Sequence, residues 1–171
     1  MSRPTLRRWV LLPLLAAAIS QLACPTVTIK SLEVLRKVKT VVTLGATVEV
    51  DNGEAYADAV TSTFVVGVPE GWVVQDVRYR IPGEPLQRRA QPAPGIAAQA
   101  DWTYVQPGAI WYGFQTVEHV IPTGLATYTA EIDVNVGRKI RGGPVVLVVG
   151  EPGAETGMRL QRGAGAGIFT A

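Results

Sequence analysis

The chain has 171 residues, with 16 Lys and Arg, 14 Asp and Glu, one His and one Cys. A domain of about 150 residues buries roughly 68–70% of its unfolded surface, so neither a disulfide framework nor a structural metal is needed to hold a core. Arg3, Arg7 and Arg8 account for the formal charge of +2, since without residues 1–23 the chain has 13 basic against 14 acidic side chains, a net −1 that gives no reason to invoke nucleic acid.

Residues 1–23 stand apart from the rest. The three arginines form a positive n-region, Trp9 to Ile19 is an apolar run, and small residues precede Cys24, which is the layout of a secretory signal. The run is too short to cross a hydrocarbon core of about 30 Å as a helix. Ser20-Gln21-Leu22-Ala23-Cys24 resembles the lipobox of bacterial lipoproteins, fitting at Ala23 and departing at Gln21. That resemblance implies that Cys24 is lipidated and becomes the mature N-terminus. Two or more acyl chains hold a protein stably on a membrane where one does not. The expectation is an exported protein, lipid-anchored in the cell envelope on an outer-membrane, periplasmic or cell-surface face. A plain signal peptide with an incidental cysteine is the other option.

Residues 24–171 read as one domain. In 26–42, Val27 and Ile29 alternate as in a strand, while Ile29, Leu32, Leu35, Val38 and Val42 also fit helical spacing. β-branched residues at 26–29 and 40–43, with no capping signal, favour strand. Arg36, Lys37 and Lys39 then read as a solvated turn. Leu44 to Ile81 begins with strict alternation at Ala46, Val48 and Val50, followed by the turn residues Asp51-Asn52-Gly53-Glu54. A second strand carries Phe64, Val66 and Val68, Pro69-Glu70-Gly71 is a turn, and Trp72 opens a third strand with Val77, Tyr79 and Ile81. Together these predict three strands of one antiparallel sheet. Residues 82–101 hold four prolines and Arg88-Arg89, the composition of an exposed loop with room for a short edge strand.

Aromatic residues concentrate at 102–121. Trp102 and Tyr104 share a face if extended; after a turn at Pro107-Gly108, Ile110, Tyr112 and Phe114 point one way and Trp111 the other. From Thr127 to Val136 apolar Tyr128, Ala130, Ile132, Val134 and Val136 alternate without exception with polar residues, so one face packs and the other is wet. Residues 137–143 read as a hairpin loop, and the apolar run Val145 to Val149 as a central strand covered on both faces. Residues 150–157 read as a loop. Met158-Arg159-Leu160 and Ile168-Phe169-Thr170 flank a glycine-rich stretch as either a closing hairpin or a tail.

Seven to nine strands with no helix of ordinary length predict an all-β sandwich or a closed barrel. Gly45-x-Thr47-Val48-x-Val50-x-Asn52-Gly53-Glu54, then Val68-Pro69-x-Gly71-Trp72, resembles the immunoglobulin-like modules of bacterial extracellular proteins, of the adhesion-related and DUF11-like kind. A second echo is Ile121-Pro122-Thr123-Gly124 running into Ala126 to Ala130. The resemblance covers roughly residues 27–149 and implies an immunoglobulin-like antiparallel β-sandwich, not an activity.

No constellation for catalysis stands out. His119 has no companion nitrogen or sulfur ligands at zinc spacing, and reads as structural or surface. Asp51, Asn52, Glu54 and Asp58 offer oxygen ligands but lack the regular acidic repetition of a calcium loop. No metal or cofactor is expected. Trp102, Tyr104, Trp111 and Tyr112 are the one set suited to ligand or partner contact, since flat rings stack on sugars or anchor proteins. The expected function is a non-catalytic binding or assembly module of the envelope with a protein partner. Alternatives are a polysaccharide-binding module using the aromatics, or a hydrolase with a carboxylate pair in a cleft.

Overall fold

The period-2 patterning becomes two antiparallel sheets packed face to face. A computed structural model describes residues 26–52, 59–98, 106–137, 143–151, 154–161 and 164–170. The strands are β1 Thr26–Val38, β2 Val41–Asn52, β3 Ala59–Val60, β4 Thr63–Pro69, β5 Val73–Arg80, β6 Arg88–Arg89 and β7 Gln91–Pro92. After a single helical turn, α1 Pro94–Ala97, come β8 Ala109–Gln115, β9 His119–Val120, β10 Gly124–Asn135, β11 Val145–Glu151, β12 Ala154–Gln161 and β13 Ala164–Thr170. The first sheet runs β1-β2-β10-β5-β6, the second β13-β12-β11-β4-β8-β7, and β3 and β9 pair as a short ribbon. This is an immunoglobulin-like β-sandwich.

Alternation sets which side chains meet between the sheets. Val48, Val77, Tyr79 and Ile132 from the first sheet face Phe64, Val66, Leu147 and Phe114 from the second in one cluster, all at most 5% exposed. Burying each such side chain contributes roughly 1.5–3 kcal/mol. On β11 the outward Val146 and Val148 are buried too, so this strand is covered on both faces, as its unbroken apolar run predicts.

The ambiguous 26–42 segment is a long hairpin. Lys39 adopts φ 54° in the turn between β1 and β2, and residues 33–39 are exposed, so the basic cluster is solvated, but Arg36 and Lys37 belong to strand β1 and pair with Thr43 and Val42. Gly71 (φ 81°) and Gly108 (φ 72°) make the two later turns, with Trp72 N–H donating to the Pro69 carbonyl at 3.0 Å.

Three expectations are corrected. The three strands of 44–81 do not share a sheet: β2 and β5 lie in the first, separated by β10, while β4 lies in the second. The turn at Pro69–Gly71 is therefore an arch between sheets. Residues 137–143 likewise join β10 of the first sheet to β11 of the second rather than closing a hairpin. Residues 150–157 are mostly strand, because β11 and β12 form a tight hairpin pairing Glu151 with Ala154. The stretch 82–101 holds the short edge strand it had room for, in two pieces on two sheets. Arg88 and Arg89 pair with Tyr79 and Arg78 of the first sheet, and Gln91 and Pro92 then pair with Gln115 and Phe114 of the second. Between them Ala90 is 1% exposed and donates its N–H to Val77 O at 2.8 Å. Proline is tolerated at such an edge because its missing N–H interrupts no interior ladder. The glycine-rich end, left open between hairpin and tail, pairs as the hairpin β12–β13.

Candidate functional site

On β8 the neighbours Trp111 and Tyr112 point to opposite faces, as adjacent residues of a strand must. Tyr112 packs against the inter-sheet core and its hydroxyl donates to Trp72 O at 3.3 Å. Trp111 lies on the outer face of the second sheet, against Val65, Val146 and Val148, with Ile96 and Ala97 of the α1 turn beside it. Gly67, its cross-strand partner, makes room for the ring, since a Cβ there would stand 2.6 Å from it. The two residues thus do not form a common platform. Cys24, Trp102 and Tyr104 lie outside the described residues, as do 53–58 of the acidic turn. Among the described residues no group of three or more His, Cys, Asp or Glu is placed to hold a metal ion.

Polar side chains concentrate instead at the end of the sandwich where β9 lies. Val117 N–H donates to the Tyr79 hydroxyl at 3.0 Å, Ser62 N–H to Thr116 Oγ1 at 2.8 Å, and Asn52 Nδ2 to Ile121 O at 3.3 Å. These bonds hold the β8–β9 connection against both sheets. They also bring His119 inside, 9% exposed, with Nδ1 at 3.1 Å from Val117 O. Its ring stands 6.5 Å from Tyr79 and 5.8 Å, edge-on, from Tyr128 of β10.

Behind these rings is a cavity of about 70 Å³ between the sheets. Val48, Val50, Phe64, Ile121 and Val149 line it with His119 and Tyr128. Two side-chain atoms of these residues, His119 Nε2 and the Tyr128 hydroxyl, are buried with no hydrogen-bond partner among the described residues. An unmet buried polar group costs about 1–3 kcal/mol, so leaving two at one place is a marked departure from ordinary packing. Nothing in the strand pattern singles out this pair: Tyr128 reads as one more apolar-face residue, and His119 joins it only through the fold.

Burial pushes the Tyr128 phenol up to about 12. Its folded value lies above the unfolded one of about 10. The stability this proton confers is therefore fully present below about pH 10 and is lost as pH rises toward about 12. Denaturation midpoints across that window should fall more steeply for the wild type than for Tyr128→Phe; parallel slopes would assign the loss to other groups.

Known proteins add little at this point. No protein-family model and no curated protein matches the sequence. Among solved structures the chain is similar to AvmM, described as catalysing macrocyclization in alchivemycin A biosynthesis, at 14% identity over 72% of this chain and 82% of that one, with a TM-score of 0.39. It is also similar to BcpA, the major pilin subunit of Bacillus cereus, at 8% identity over 86% of this chain, with a TM-score of 0.39. The chain spans 38% of that pilin's length. Likenesses of this size carry no argument about activity.

The outer face of the first sheet is a charge ladder rather than a site. Arg78 Nη2 donates to Asp133 at 2.9 Å and Glu131 at 3.2 Å, and Arg89 Nε reaches Asp76 at 2.8 Å. Thr43 Oγ1 donates to Asp133 at 2.6 Å and accepts from Arg36 Nε at 3.0 Å. The ladder crosses all five strands, with Arg36 of β1 joining it through the Thr43 hydroxyl rather than through a carboxylate.

Proposed function

We propose that this chain is a non-catalytic, exported envelope lipoprotein, tethered through Cys24, that binds or assembles with an envelope protein by adding that partner's strand to its own sheet edge. The observation that carries the reading is the outer half of β1. This strand is at the edge of the first sheet and pairs, among the described residues, with β2 alone. From Glu33 to Val38 every residue is exposed, with Val34, Leu35 and Val38 at 57%, 51% and 60%. An exposed apolar edge is a template for strand addition, and proteins usually blunt such edges. Leu35 also packs over Gly45, where a Cβ would stand 2.7 Å from its side chain, so part of this surface is held in place before any partner arrives. Arg36, Lys37 and Lys39 flank it within a mature chain of slightly acidic charge, which favours an extended partner segment bearing acidic residues.

Two measurements in the native host test the reading. Cys24→Ala should abolish incorporation of labelled palmitate and release the domain from membranes; continued labelling would refute the tether. A photo-crosslinking residue at position 35 should capture one protein, while one at Thr127, on the wet face of β10, should not. Leu35→Glu with Val38→Glu should abolish the capture. Equal capture from both positions, or capture untouched by the charges, would refute the edge.

A further inference from the structure

We propose that the segment added to β1 carries two successive acidic residues between two apolar ones, in the order apolar, acidic, acidic, apolar. The inference rests on the edge-strand reading above and names the chemistry of its partner.

The order follows from the side on which each residue of 35–38 leaves the strand. Arg36 pairs with Thr43 and donates to its hydroxyl, and Thr43 bonds Asp133 of the charge ladder, so Arg36 lies on the outer face of the first sheet. Val38 stands opposite Val41, two residues before Thr43, and shares that face. Leu35 reaches it as well. It packs over Gly45, the direct partner of Glu131, and the pairing skips a residue between Val34 and Arg36, a bulge that lets two neighbours leave on one side. Lys37 pairs with Val42, which packs against the core, so Lys37 leaves by the opposite face and is nonetheless exposed.

A strand laid along the free edge sets its side chains opposite these, face for face. Arg36 and Lys37 present one cation to each face. Among the described residues neither has an ion pair; the pairs across this sheet are those of Lys30, Arg78 and Arg89. Thr43 takes only the Nε of Arg36, so the outer guanidinium nitrogens remain for a carboxylate. Answering both cations takes two consecutive acids, because acids two residues apart would share a face. Val38 and Leu35 bracket the cations, 60% and 51% exposed, and gain most from apolar neighbours. Glu33 closes the pattern. It is exposed opposite Gly45, and like charges directly opposite repel, so an acidic run continuing toward Thr26 is disfavoured. The edge thereby separates a patterned strand from a uniform polyanion.

The test titrates the isotope-labelled protein with capped hexapeptides and follows its amides by NMR. One peptide reads threonine, valine, glutamate, glutamate, valine, threonine; its isomer places the valines inside and the glutamates outside. The first should give saturable shifts at 33–38 and bind about tenfold more tightly, the sum of a few modest cross-strand pairs. Lys37→Glu, a change at an exposed side chain, should reverse the choice, favouring peptides in which one glutamate is replaced by lysine. Whether lysine is preferred first or second reports an antiparallel or a parallel addition. Equal binding of the isomers, shifts centred away from 33–38, no saturable shift, or an undiminished affinity of Lys37→Glu for the glutamate pair would overturn the pattern. The crosslink at position 35 is read separately. Capture there together with equal binding of the isomers sinks the pattern and keeps the edge, whereas failure of capture sinks the edge itself and the pattern with it.

Discussion

Truncating Ile132 to alanine is expected to lower the unfolding free energy by about 2–5 kcal/mol, the range for deleting a large aliphatic side chain from a packed core. Ile132 is 0% exposed and sits in the C-terminal half of β10. That strand is paired along both edges, with Leu44 of β2 on one side and Val77 of β5 on the other. The surrounding backbone therefore has little freedom to collapse into the space. For a domain near 150 residues each kcal/mol moves the melting temperature by about 2–4 °C. Thr127→Ala on the same strand, where the side chain is exposed, should stay within about 0.5 kcal/mol. Thermal unfolding of both variants checks the pair. Similar losses would mean that the two faces of β10 are not as distinct as the alternation makes them.

Gly113→Ala is the second large effect. A Cβ at Gly113 would stand 2.9 Å from the Ala97 nitrogen and closer still to the Ala93 carbonyl. Both are backbone atoms, so no side-chain rotation relieves the clash. Ala93 N–H also donates to Gly113 O at 2.8 Å, and pushing the segment away sacrifices that bond. The expected cost is about 1–3 kcal/mol, together with faster hydrogen exchange over 93–98. Gly95, in the same turn, has nothing within 4 Å of its Cβ position. Gly95→Ala should accordingly be neutral or stabilising by up to about 1 kcal/mol. If both alanines were equally tolerated, the α1 turn would not be seated on the sheet at all.

The fold class was legible because alternation is a direct record of one buried face. From Tyr128 to Val136 it is unbroken, and the structure buries Ala130, Ile132 and Val134 accordingly. The covered strand at 145–149 was legible for the converse reason, an apolar run without alternation. Period 2 states which side chains are inside but not which strand lies alongside, so β2, β4 and β5 read as neighbours although β10 comes between two of them. The edge strand allowed for within 82–101 could not be placed at Arg88–Pro92 because two residues per sheet are too few to make a period. At the C-terminal end a hairpin and a tail stayed open alternatives because the alternating glycines of 163–167 carry no side-chain pattern. The site was the least legible part. That Trp111 and Tyr112 face apart follows from their adjacency, but the meeting of His119 with Tyr128 depends on how β9 folds against β10. No local spacing encodes that encounter.

The order of strands in the two sheets also governs when the molecule can take shape. β10 is the strand that joins β2 to β5, and β11 is the one that joins β4 to β12. As the chain emerges from a ribosome or a membrane pore, N-terminus first, the β1–β2 hairpin can form early, but it has no sheet to join. Until residues 124–135 arrive the first sheet is two separate fragments, and until 145–151 arrive β4 has only β8 beside it and no strand on its other edge. Most of the core valines therefore wait exposed until β10 and β11 have been made, and the two sheets close in quick succession once they have.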